Sequence, residues 1–277
     1  MMNTRRENSA GKKDLGEVIV ITSGKGGVGK TTTTASLGAA LALRGQRVLV
    51  VDADIGLRNL DMMLGLENRI VFNVVDVAKK ICKPAQAIIK SKKSNNLYLL
   101  PASQTDDKDV VDEAEVRYVL EQFRREFHYI LVDSPAGIEQ GFRNACAGAE
   151  SAIVVTTPEV SAIRDADRVV GLLSSKGIEA KLIINRIDFD MVKRGDMLSV
   201  KDVQDILGIE ILGVVERDDQ IISAANCGEP VVYNPKSKAG QAFTRIASRV
   251  CGEQVPIPSF DGGSLWSRIS RKLGVNA

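Results

Sequence analysis

Short apolar runs alternate with helical stretches along most of this chain, and this alternation restricts the folds that it can adopt. Runs such as EVIVITS, RVLVVDAD and YILVDSP are rich in β-branched residues and are apolar at successive positions. Such strands need helices on both faces of their sheet, because both faces must be shielded from water. The sequence therefore predicts an α/β fold over residues 17–253, a doubly wound, mostly parallel sheet with helices on both faces.

The segments outside this range have a different composition. Residues 1–16 are polar and lack the apolar core of a secretory signal, so we expect a disordered leader. Residues 254–263 include two prolines and a glycine pair, which neither continue a helix nor join a sheet. This stretch is interpreted as a linker to a separate tail, residues 264–277.

Charge and cysteine usage exclude several classes of function. The chain has 37 basic and 35 acidic residues, and a net charge of +2 gives no general attraction to nucleic acid. Its apolar runs are far shorter than the roughly 20 residues of a membrane-spanning helix. The four cysteines are scattered without a CxxC pair, which speaks against a metal site and favours a reducing compartment. The single histidine, His128, opens an apolar run and is interpreted as structural.

A glycine-rich loop follows the first predicted strand. The stretch SGKGGVGKTT, residues 23–32, matches G-x-x-x-x-G-K-[ST] and precedes an Ala/Leu-rich helix. Glycines allow backbone N–H groups to face phosphates, while Lys30 neutralises the β- and γ-phosphate oxygens and the Thr31 hydroxyl ligates Mg²⁺. We therefore predict a fold of the P-loop NTPase type. The candidate nucleotide-binding residues are Lys25, Gly26, Gly27, Val28, Gly29, Lys30, Thr31 and Thr32.

Polar side chains follow three further strands. Asp52 and Asp54 end one apolar run and Asp133 ends another, at the sheet edge where such folds bind ligands. Carboxylates there hold metal-bound waters or orient an attacking water, although each aspartate could equally cap a helix or a turn. Asn185 follows a third run, where its carboxamide can read an adenine edge or simply form a turn. No NKxD guanine motif is present.

Lys25, one residue after the first glycine of the loop, is not explained by the general motif. With Lys25 included, KGGVGKTT resembles the deviant Walker A motif of the ATPase family that includes the MinD and ParA proteins and the nitrogenase iron protein. The resemblance implies ATP and Mg²⁺ as cofactors, and a homodimer in which Lys25 crosses to the partner's nucleotide. It implies catalytic roles for Lys25, Lys30 and Asp54, metal-site roles for Thr31, Asp52 and Asp133, and a base contact for Asn185.

Other stretches resemble the MinD branch of the family more than the ParA branch. DADIGLRNLD and DSPAGIE look like its switches I and II, with Gly137 offering an N–H to the γ-phosphate. Three stretches distinguish the MinD branch from the ParA branch most clearly: RNLD at 58–61, PASQ at 101–104 and RDADR at 164–168. The sequences of these motifs are closest to cyanobacterial and plastid forms.

The MinD resemblance implies an ATP-hydrolysing switch that selects the division site, at the septum or at the plastid division ring. Implied partners are a MinC-like inhibitor and a MinE-like ATPase stimulator. We expect them to contact the helix opened by PEVSAIRDADR, with Asp165 and Asp167 exposed; an ordinary solvated helix face is the other interpretation. The expected location is cytoplasmic and peripheral on the inner face of the cell membrane, or stromal and on the inner envelope of a plastid.

The tail sequence SLWSRISRKLGV, residues 264–275, has the pattern of a short amphipathic helix. Its apolar side chains fall within an arc of roughly 100°, with basic residues beside or away from it. A dozen residues give about 18 Å of helix, enough to lie in a headgroup layer and too short to cross it. Docking on the protein's own core is the alternative, but the resemblance implies a membrane-targeting helix. The candidate membrane-binding residues are Leu265, Trp266, Arg268, Ile269, Arg271, Lys272 and Leu273.

The sequence alone leaves three other functions open. A ParA-type partition ATPase that binds DNA or cargo would share the loop and the dimer, but it needs a basic dimer surface, and the near-neutral charge and the Trp-containing tail speak against specific binding to nucleic acid. An electron-transfer ATPase needs cysteines on a shared cluster, for which Cys146 alone is a poor candidate. A scaffold that does not hydrolyse ATP is the third.

Overall fold

The computed structural model of the chain describes residues 15–258. Within that range the chain forms one eight-stranded sheet with helices on both faces, which confirms the fold class expected from the sequence. Most of the predicted leader, the end of the linker and the entire 264–277 tail lie outside the described residues. The predictions made for those segments therefore stay predictions.

The apolar runs that predicted strands all form strands of this sheet. A two-residue edge strand, which the sequence pattern did not reveal, pairs antiparallel to its neighbour, whereas all the other pairings are parallel. The spatial order is β3-β4-β2-β5-β1-β6-β7-β8. The strands are β1 (Glu17–Thr22), β2 (Val48–Asp52), β3 (Ile89–Lys90), β4 (Leu97–Leu100), β5 (Tyr129–Asp133), β6 (Ser151–Thr156), β7 (Glu179–Ile187) and β8 (Glu210–Glu216).

Helices connect these strands and form a layer on each side of the sheet. Two short 3-10 turns, Glu67–Arg69 and Val231–Tyr233, add to them. The helices are α1 (Lys30–Leu43), α2 (Leu60–Met63), α3 (Val74–Ala78), α4 (Pro84–Ala87), α5 (Glu113–Phe123), α6 (Gln140–Ala145), α7 (Val160–Ser175), α8 (Phe189–Arg194), α9 (Val200–Leu207), α10 (Gln220–Asn226) and α11 (Lys238–Val250).

The central strand shows why the apolar runs need two helical layers. Val18 and Val20 of β1 belong to the core that α5, α7 and α9 cover, whereas Ile19 and Ile21 belong to the core that α1 and α11 cover. Successive side chains of a strand point to opposite faces, so each layer receives every second residue. An apolar residue at each position of β1 therefore serves both cores.

Side chains define where several helices begin. Asp112 and Ser199 start α5 and α9, each in a capping box that satisfies the first free backbone N–H groups. Ser237 caps α11, and its hydroxyl donates to Asp218 Oδ2 at 2.6 Å. Helix α1 differs from these three, because its N-cap residue is Gly29, which has no side chain to cap it, and its first turn has no acidic residue.

The parallel pairing brings the carboxyl ends of β1, β2, β5, β6 and β7 to one edge of the sheet. In open α/β sheets ligands bind in the crevice outside these strand ends. The glycine-rich loop follows β1, which lies between β5 and β6 near the middle of that edge. The architecture therefore concentrates the predicted site residues in one place.

The cysteines and the histidine have structural surroundings in the described residues. All four cysteines are free, and Cys146 is buried, where burial raises the pKa of its thiol to about 12. His128 lies at the opposite edge of the sheet and accepts a hydrogen bond from the Arg47 backbone N–H at its Nδ1 atom (3.1 Å), which agrees with a structural role. In the part of the chain from residue 15 to residue 258, none of the helices has the length and apolar character needed to cross a membrane.

Phe243 tests the packing of α11 against the sheet. Its side chain is fully buried in the core beneath α1 and α11, so Phe243→Ala leaves a cavity and should lower the free energy of unfolding by about 3–5 kcal/mol. The matched control Leu43→Ala, at a side chain that is 58% exposed, should change it by less than about 0.5 kcal/mol. Chemical denaturation of both variants checks this, and similar losses in the two would contradict the packing described here.

Candidate functional site

The loop between β1 and α1 has the shape of an anion-binding cradle. Gly27 and Gly29 take positive φ angles of 76° and 102°, which curl the backbone back toward the start of α1. The first N–H groups of a helix have no partner within the helix, and no side chain caps them at α1. With no acidic residue in the first turn to compete, this end of α1 is suited to phosphate oxygens.

Two glycines of the loop are required by close neighbours. A Cβ atom at Gly24 would lie 2.2 Å from the Asp165 carbonyl, so the loop entrance rests directly on the backbone of α7. A Cβ atom at Gly29 would lie 2.3 Å from Asn185 Nδ2. The glycines of the motif therefore have two roles. They allow the backbone to curve, and they leave space for the close approach of α7 and β7.

The two lysines of the loop occupy different environments. Lys30 is buried, and burial lowers the pKa of its ammonium group, although the charges of Asp133 and Asp54 act in the opposite direction. Lys25 is 42% exposed and turns away from the cradle. Its Nζ atom donates to Ser161 Oγ at 3.0 Å and lies 3.7 Å from a carboxylate oxygen of Glu159. Only Lys30 is thus placed to serve the loop's own ligand.

Asp52 and Asp133 form a buried carboxylate pair, since they stand opposite each other at the ends of β2 and β5. Burial raises the pKa of Asp52 to about 6, even though it accepts hydrogen bonds from the backbone N–H groups of Asp54, Asn59 and Leu60. Burial and the charge of Asp52 raise the pKa of Asp133 to about 7. An additional cation at this edge would relieve the cost of holding both in the ionised form.

Threonine hydroxyls complete the oxygen-rich corner around Asp133. Thr34 Oγ1 donates to Asp133 Oδ1 at 3.1 Å, and a hydrogen bond from Thr31 also favours the charged form of Asp133. Mg²⁺ prefers oxygen ligands and keeps several of its waters, so a hydroxyl and two nearby carboxylates suffice to hold it beside a phosphate. The residues Thr31, Asp52 and Asp133 fit the metal-site role expected of them.

Among the described residues, one carboxylate oxygen of Asp54 has no hydrogen-bond partner. Its side chain is partly buried, and Oδ1 is shielded from solvent without a hydrogen-bond partner. Burial raises the pKa of the Asp54 carboxyl, which the positive charges of Lys108 and Lys30 oppose. A buried acceptor without a donor is costly, so its retention next to the loop agrees with orienting a water molecule. The catalytic role of Asp54 stays a prediction.

The two predicted switches are tied to this corner by backbone contacts. Asp52 holds the start of α2 through the N–H groups of Asn59 and Leu60, and so connects switch I to the metal site. In switch II, Gly137 has a φ of 92° and donates its N–H to the Ser23 carbonyl at 3.2 Å. The contact places Gly137 next to the loop. Its N–H is engaged there, and the contact with a γ-phosphate stays a prediction.

A cleft of about 760 Å³ opens beside the glycine-rich loop and the first residues of α1. This volume is within the range of pockets that hold small ligands. Most of its far wall was not predicted from the sequence; it comes from the end of α2, from Arg186 and from the turn at residues 225–228. Gly228 and Pro230 are turn-forming residues and are the local sequence signal at that position. The newly placed lining residues include Met62, Met63, Arg186, Asn226 and Cys227.

Two site predictions need comment in the light of the structure. Asn185, expected to contact the base, is buried and donates from Nδ2 to the Val28 carbonyl at 2.7 Å; the base contact stays a prediction. Asp165, expected to be exposed on α7, is only partly exposed, and this expectation was wrong. The physical reason is the close approach of Gly24 to its backbone. Asp167 is exposed as expected.

Comparisons with known proteins assign the family. The family model described as ParA, NUBPL iron-transfer P-loop NTPase, matches residues 14–251. The septum site-determining protein MinD of Bacillus subtilis is 52% identical over 246 residues, covering 88% of this chain and 92% of that protein. The chain belongs to the MinD family of P-loop ATPases. Its MinD-like fold, its ATPase activity and its part in division-site selection, all expected from the sequence, are confirmed.

Two solved structures of MinD proteins agree with this assignment. The chain from the MinC:MinD cell division protein complex of Aquifex aeolicus is 50% identical with a TM-score of 0.83, covering 88% of this chain and 98% of that one. Pyrococcus horikoshii MinD, solved with Mg-ADP, is 31% identical with a TM-score of 0.79, covering 87% and 100%. The ParA-type alternative is less supported, and the cyanobacterial or plastid lineage stays a prediction.

Asp133→Asn tests the buried carboxylate pair of this MinD-family ATPase. Because the pKa of Asp133 is raised to about 7, its charge destabilises the folded chain above that pH. Without nucleotide or Mg²⁺, D133N should raise the free energy of unfolding by about 1–3 kcal/mol at pH 8. The gain should shrink as the pH falls from about 7 toward 4, because folded wild-type Asp133 then takes up a proton.

Chemical denaturation across that pH range, in the presence of a chelator, is the measurement. Asp107→Asn, at an exposed aspartate, is the matched control and should change the free energy of unfolding by less than about 0.5 kcal/mol. A D133N variant that is no more stable than wild type at pH 8 would contradict the charge balance described for the pair. Despite its stability, D133N should lose ATP turnover.

Proposed function

We propose that this MinD-family ATPase is a switch in which Mg·ATP drives dimerisation and membrane binding, and hydrolysis reverses both. The observation that carries the proposal is the position of Lys25, whose ammonium group points out of its own loop toward Ser161 and Glu159. A lysine there is available to a second subunit, and a nucleotide triphosphate in that subunit offers it more negative charge than a diphosphate does. Dimerisation then depends on the nucleotide.

The residues of the loop edge would hold Mg·ATP in this scheme. Lys30 and the free N–H groups of α1 bind the phosphates, while Thr31 with Asp52 and Asp133 holds the metal and its waters. Mg²⁺ neutralises phosphate charge when it is bound. Asp54 then orients the attacking water with its unpartnered oxygen. The Mg-ADP held by the Pyrococcus horikoshii relative supports this assignment.

Exposed apolar side chains at the carboxyl edge of the sheet support a face-to-face dimer. Ile138 after β5 is 40% exposed, Val160 at the start of α7 is 74% exposed, and Ile222 on α10 is 63% exposed. All three follow strand ends at the edge that also carries Lys25. Large exposed aliphatic side chains at one edge favour burial against a partner surface, and a second copy presents the same edge.

The 264–277 tail provides the membrane contact in this proposal. Three basic residues near an anionic surface contribute roughly 3 kcal/mol, and a few apolar side chains add a similar amount, less the cost of ordering a helix. One copy is marginal. Two copies on a dimer make the second insertion intramolecular and raise the avidity by roughly 10²- to 10⁴-fold. The protein would therefore lie peripherally on an anionic membrane, on its cytoplasmic side or the equivalent plastid side, only as the ATP dimer.

We further propose that α7 contributes to the binding of division regulators. The Aquifex aeolicus relative was solved as a MinC:MinD complex, which supports a MinC-like partner here. Arg164, Asp167 and Arg168 are exposed on α7, and the Glu159–Ser161 contacts of Lys25 lie at its start. A regulator that binds this helix would sit beside the dimerising lysine. A MinE-like stimulator of ATP turnover would suit the same surface.

Lys25→Ala tests the dimer part of the switch. Because Lys25 does not face its own cradle, the variant should bind Mg·ADP within about threefold of wild type, yet fail to form the ATP-dependent dimer and lose ATP turnover. Light scattering after size exclusion, with ATP and with ADP, gives the oligomeric state. Lys201→Ala, at an exposed lysine of α9, is the control. Normal ATP dimers of K25A would rule out the proposed role of Lys25.

Trp266→Glu and Ile269→Glu test the tail. Each places a charge on the apolar arc and should reduce ATP-dependent sedimentation with anionic liposomes to the level of a chain ending before Ser264, while the ATP dimer persists. Asn276→Glu introduces the same charge near the chain end, outside the predicted arc, and should bind nearly as wild type. Liposome binding by W266E would overturn the tail's role, and ATP-dependent retention on DNA instead would favour the partition alternative.

A further inference from the structure

A lysine-rich segment surrounds the edge strand β3. Residues 79–93, with the sequence KKICKPAQAIIKSKK, contain six lysines and no acidic residue. The charge of +6 on this segment exceeds the net charge of +2 on the whole chain, so the rest of the sequence is net acidic. Because β3 is the outermost strand, the net positive charge of the protein is concentrated at one edge of the sheet.

These six lysines are exposed, and neighbouring carboxylates neutralise only some of them. Lys79 pairs with Glu115 and Lys93 pairs with Glu229, with nitrogen–oxygen distances of 2.7 Å in both cases. Among residues 15–258, no carboxylate oxygen lies within 4.0 Å of the ammonium groups of the other four, which are Lys80, Lys83, Lys90 and Lys92. Most of the positive charge of the segment is therefore available to an external anion.

Protection of the sheet edge accounts for only one of these cations. A charged side chain on an edge strand prevents pairing with the sheet of another molecule. Lys90 lies within β3 and can have this function, whereas Lys83 and Lys92 lie in the stretches before and after the strand. The fold does not require a cation at either of those two positions.

The lysine segment lies near the point where the described chain ends. The N–H of Val48, the first residue of β2, donates to the Asn96 carbonyl at 2.8 Å, so the turn that follows Lys92 adjoins the turn between α1 and β2. Arg44 in this second turn forms an ion pair with Glu253. Only five residues, 259–263, separate the described chain from the predicted tail, and they span at most roughly 20 Å. A tail that lies on a membrane therefore brings this edge of the sheet close to the lipid.

We propose that segment 79–93 is a second membrane contact, in which Lys83, Lys90 and Lys92 lie against anionic lipid headgroups and orient the ATPase domain on the membrane. The inference rests on the proposed function, because it takes the tail as the first contact. A lysine ammonium is a point charge without the paired donors of arginine, which suits a diffuse anionic surface, and clusters of four to eight basic residues are typical of anionic lipid contacts. Ile81, between lysines of the segment, is 66% exposed, and an apolar side chain there favours a headgroup layer over a nucleic acid backbone.

Sedimentation of the full chain with ATP tests this contact, using vesicles of phosphatidylcholine alone and of phosphatidylcholine mixed with phosphatidylglycerol. The combined variant Lys83→Gln, Lys90→Gln and Lys92→Gln should bind the anionic vesicles at least about tenfold more weakly, since each lysine near such a surface contributes about fivefold. The difference from wild type should shrink as the salt concentration rises. The ATP dimer, ATP turnover without lipid and the midpoint of denaturation should stay as in wild type.

The matched control removes the same charge at the other end of the sheet. It combines Lys193→Gln, Arg194→Gln and Lys201→Gln, at exposed residues of α8 and α9, the helices between β7 and the opposite edge strand β8. This control should bind anionic vesicles within about threefold of wild type, because its charges do not face the lipid.

Three results would refute the contact: wild-type affinity in the lysine variant, an equal loss in the control, or a loss seen only in ATP-dependent retention on DNA, which would identify a surface for nucleic acid. Failure of the proposed switch gives a different result. In that case the wild-type chain itself would not sediment with ATP, which would refute the tail and this second contact together. If only the second contact is wrong, the wild type and the lysine variant bind equally while W266E does not bind.

Discussion

Two buried carboxylates at the ends of neighbouring strands hold the functional edge of this protein together. Asp52 accepts hydrogen bonds from backbone N–H groups at the start of α2, and Asp133 accepts one from a threonine hydroxyl of α1. The predicted switch I and the helix that follows the phosphate loop therefore meet at this pair. Burial raises both pKa values, which means that the folded chain is destabilised by their charge. A bound cation would offset this destabilising charge. We therefore expect the stability of the edge to depend on whether a nucleotide and a metal are bound.

The two lysines of the glycine-rich loop at this edge point in different directions. Lys30 is buried toward the carboxylates, whereas Lys25 is directed outward to α7, where it contacts Ser161. In the proposed switch, the inward lysine binds the chain's own nucleotide and the outward lysine reaches the nucleotide of a second subunit. Because α7 also supports the loop entrance at Gly24, the regulator proposed to bind that helix would lie close to the loop backbone and to Lys25.

Two features that lower the stability of the folded chain lie at the same edge. Arg186 is in a left-handed conformation within a strand, and Asp54 has a buried oxygen with no donor. Each lowers the free energy of unfolding, and the packing of the cores does not need either of them. Both lie around the cleft and the phosphate loop, whereas the apolar side chains of the two cores lie beneath α1 and beneath α5. Stability is thus supplied by the two cores and given up at the site.

Much of the fold and of the site could be predicted from the sequence, because its signals are local. Apolar runs predicted the long strands, and loop spacing with Lys25 predicted the nucleotide edge, since backbone curvature and helix ends depend on neighbours in the chain. The two-residue β3 was missed because so short a pattern has no period. Only the tertiary structure decided what Asn185 contacts, why Asp165 is partly covered, and that Arg186 lines the cleft. Those facts depend on which elements pack against one another, and a strand register or a 2 Å approach between distant segments leaves no trace in local composition.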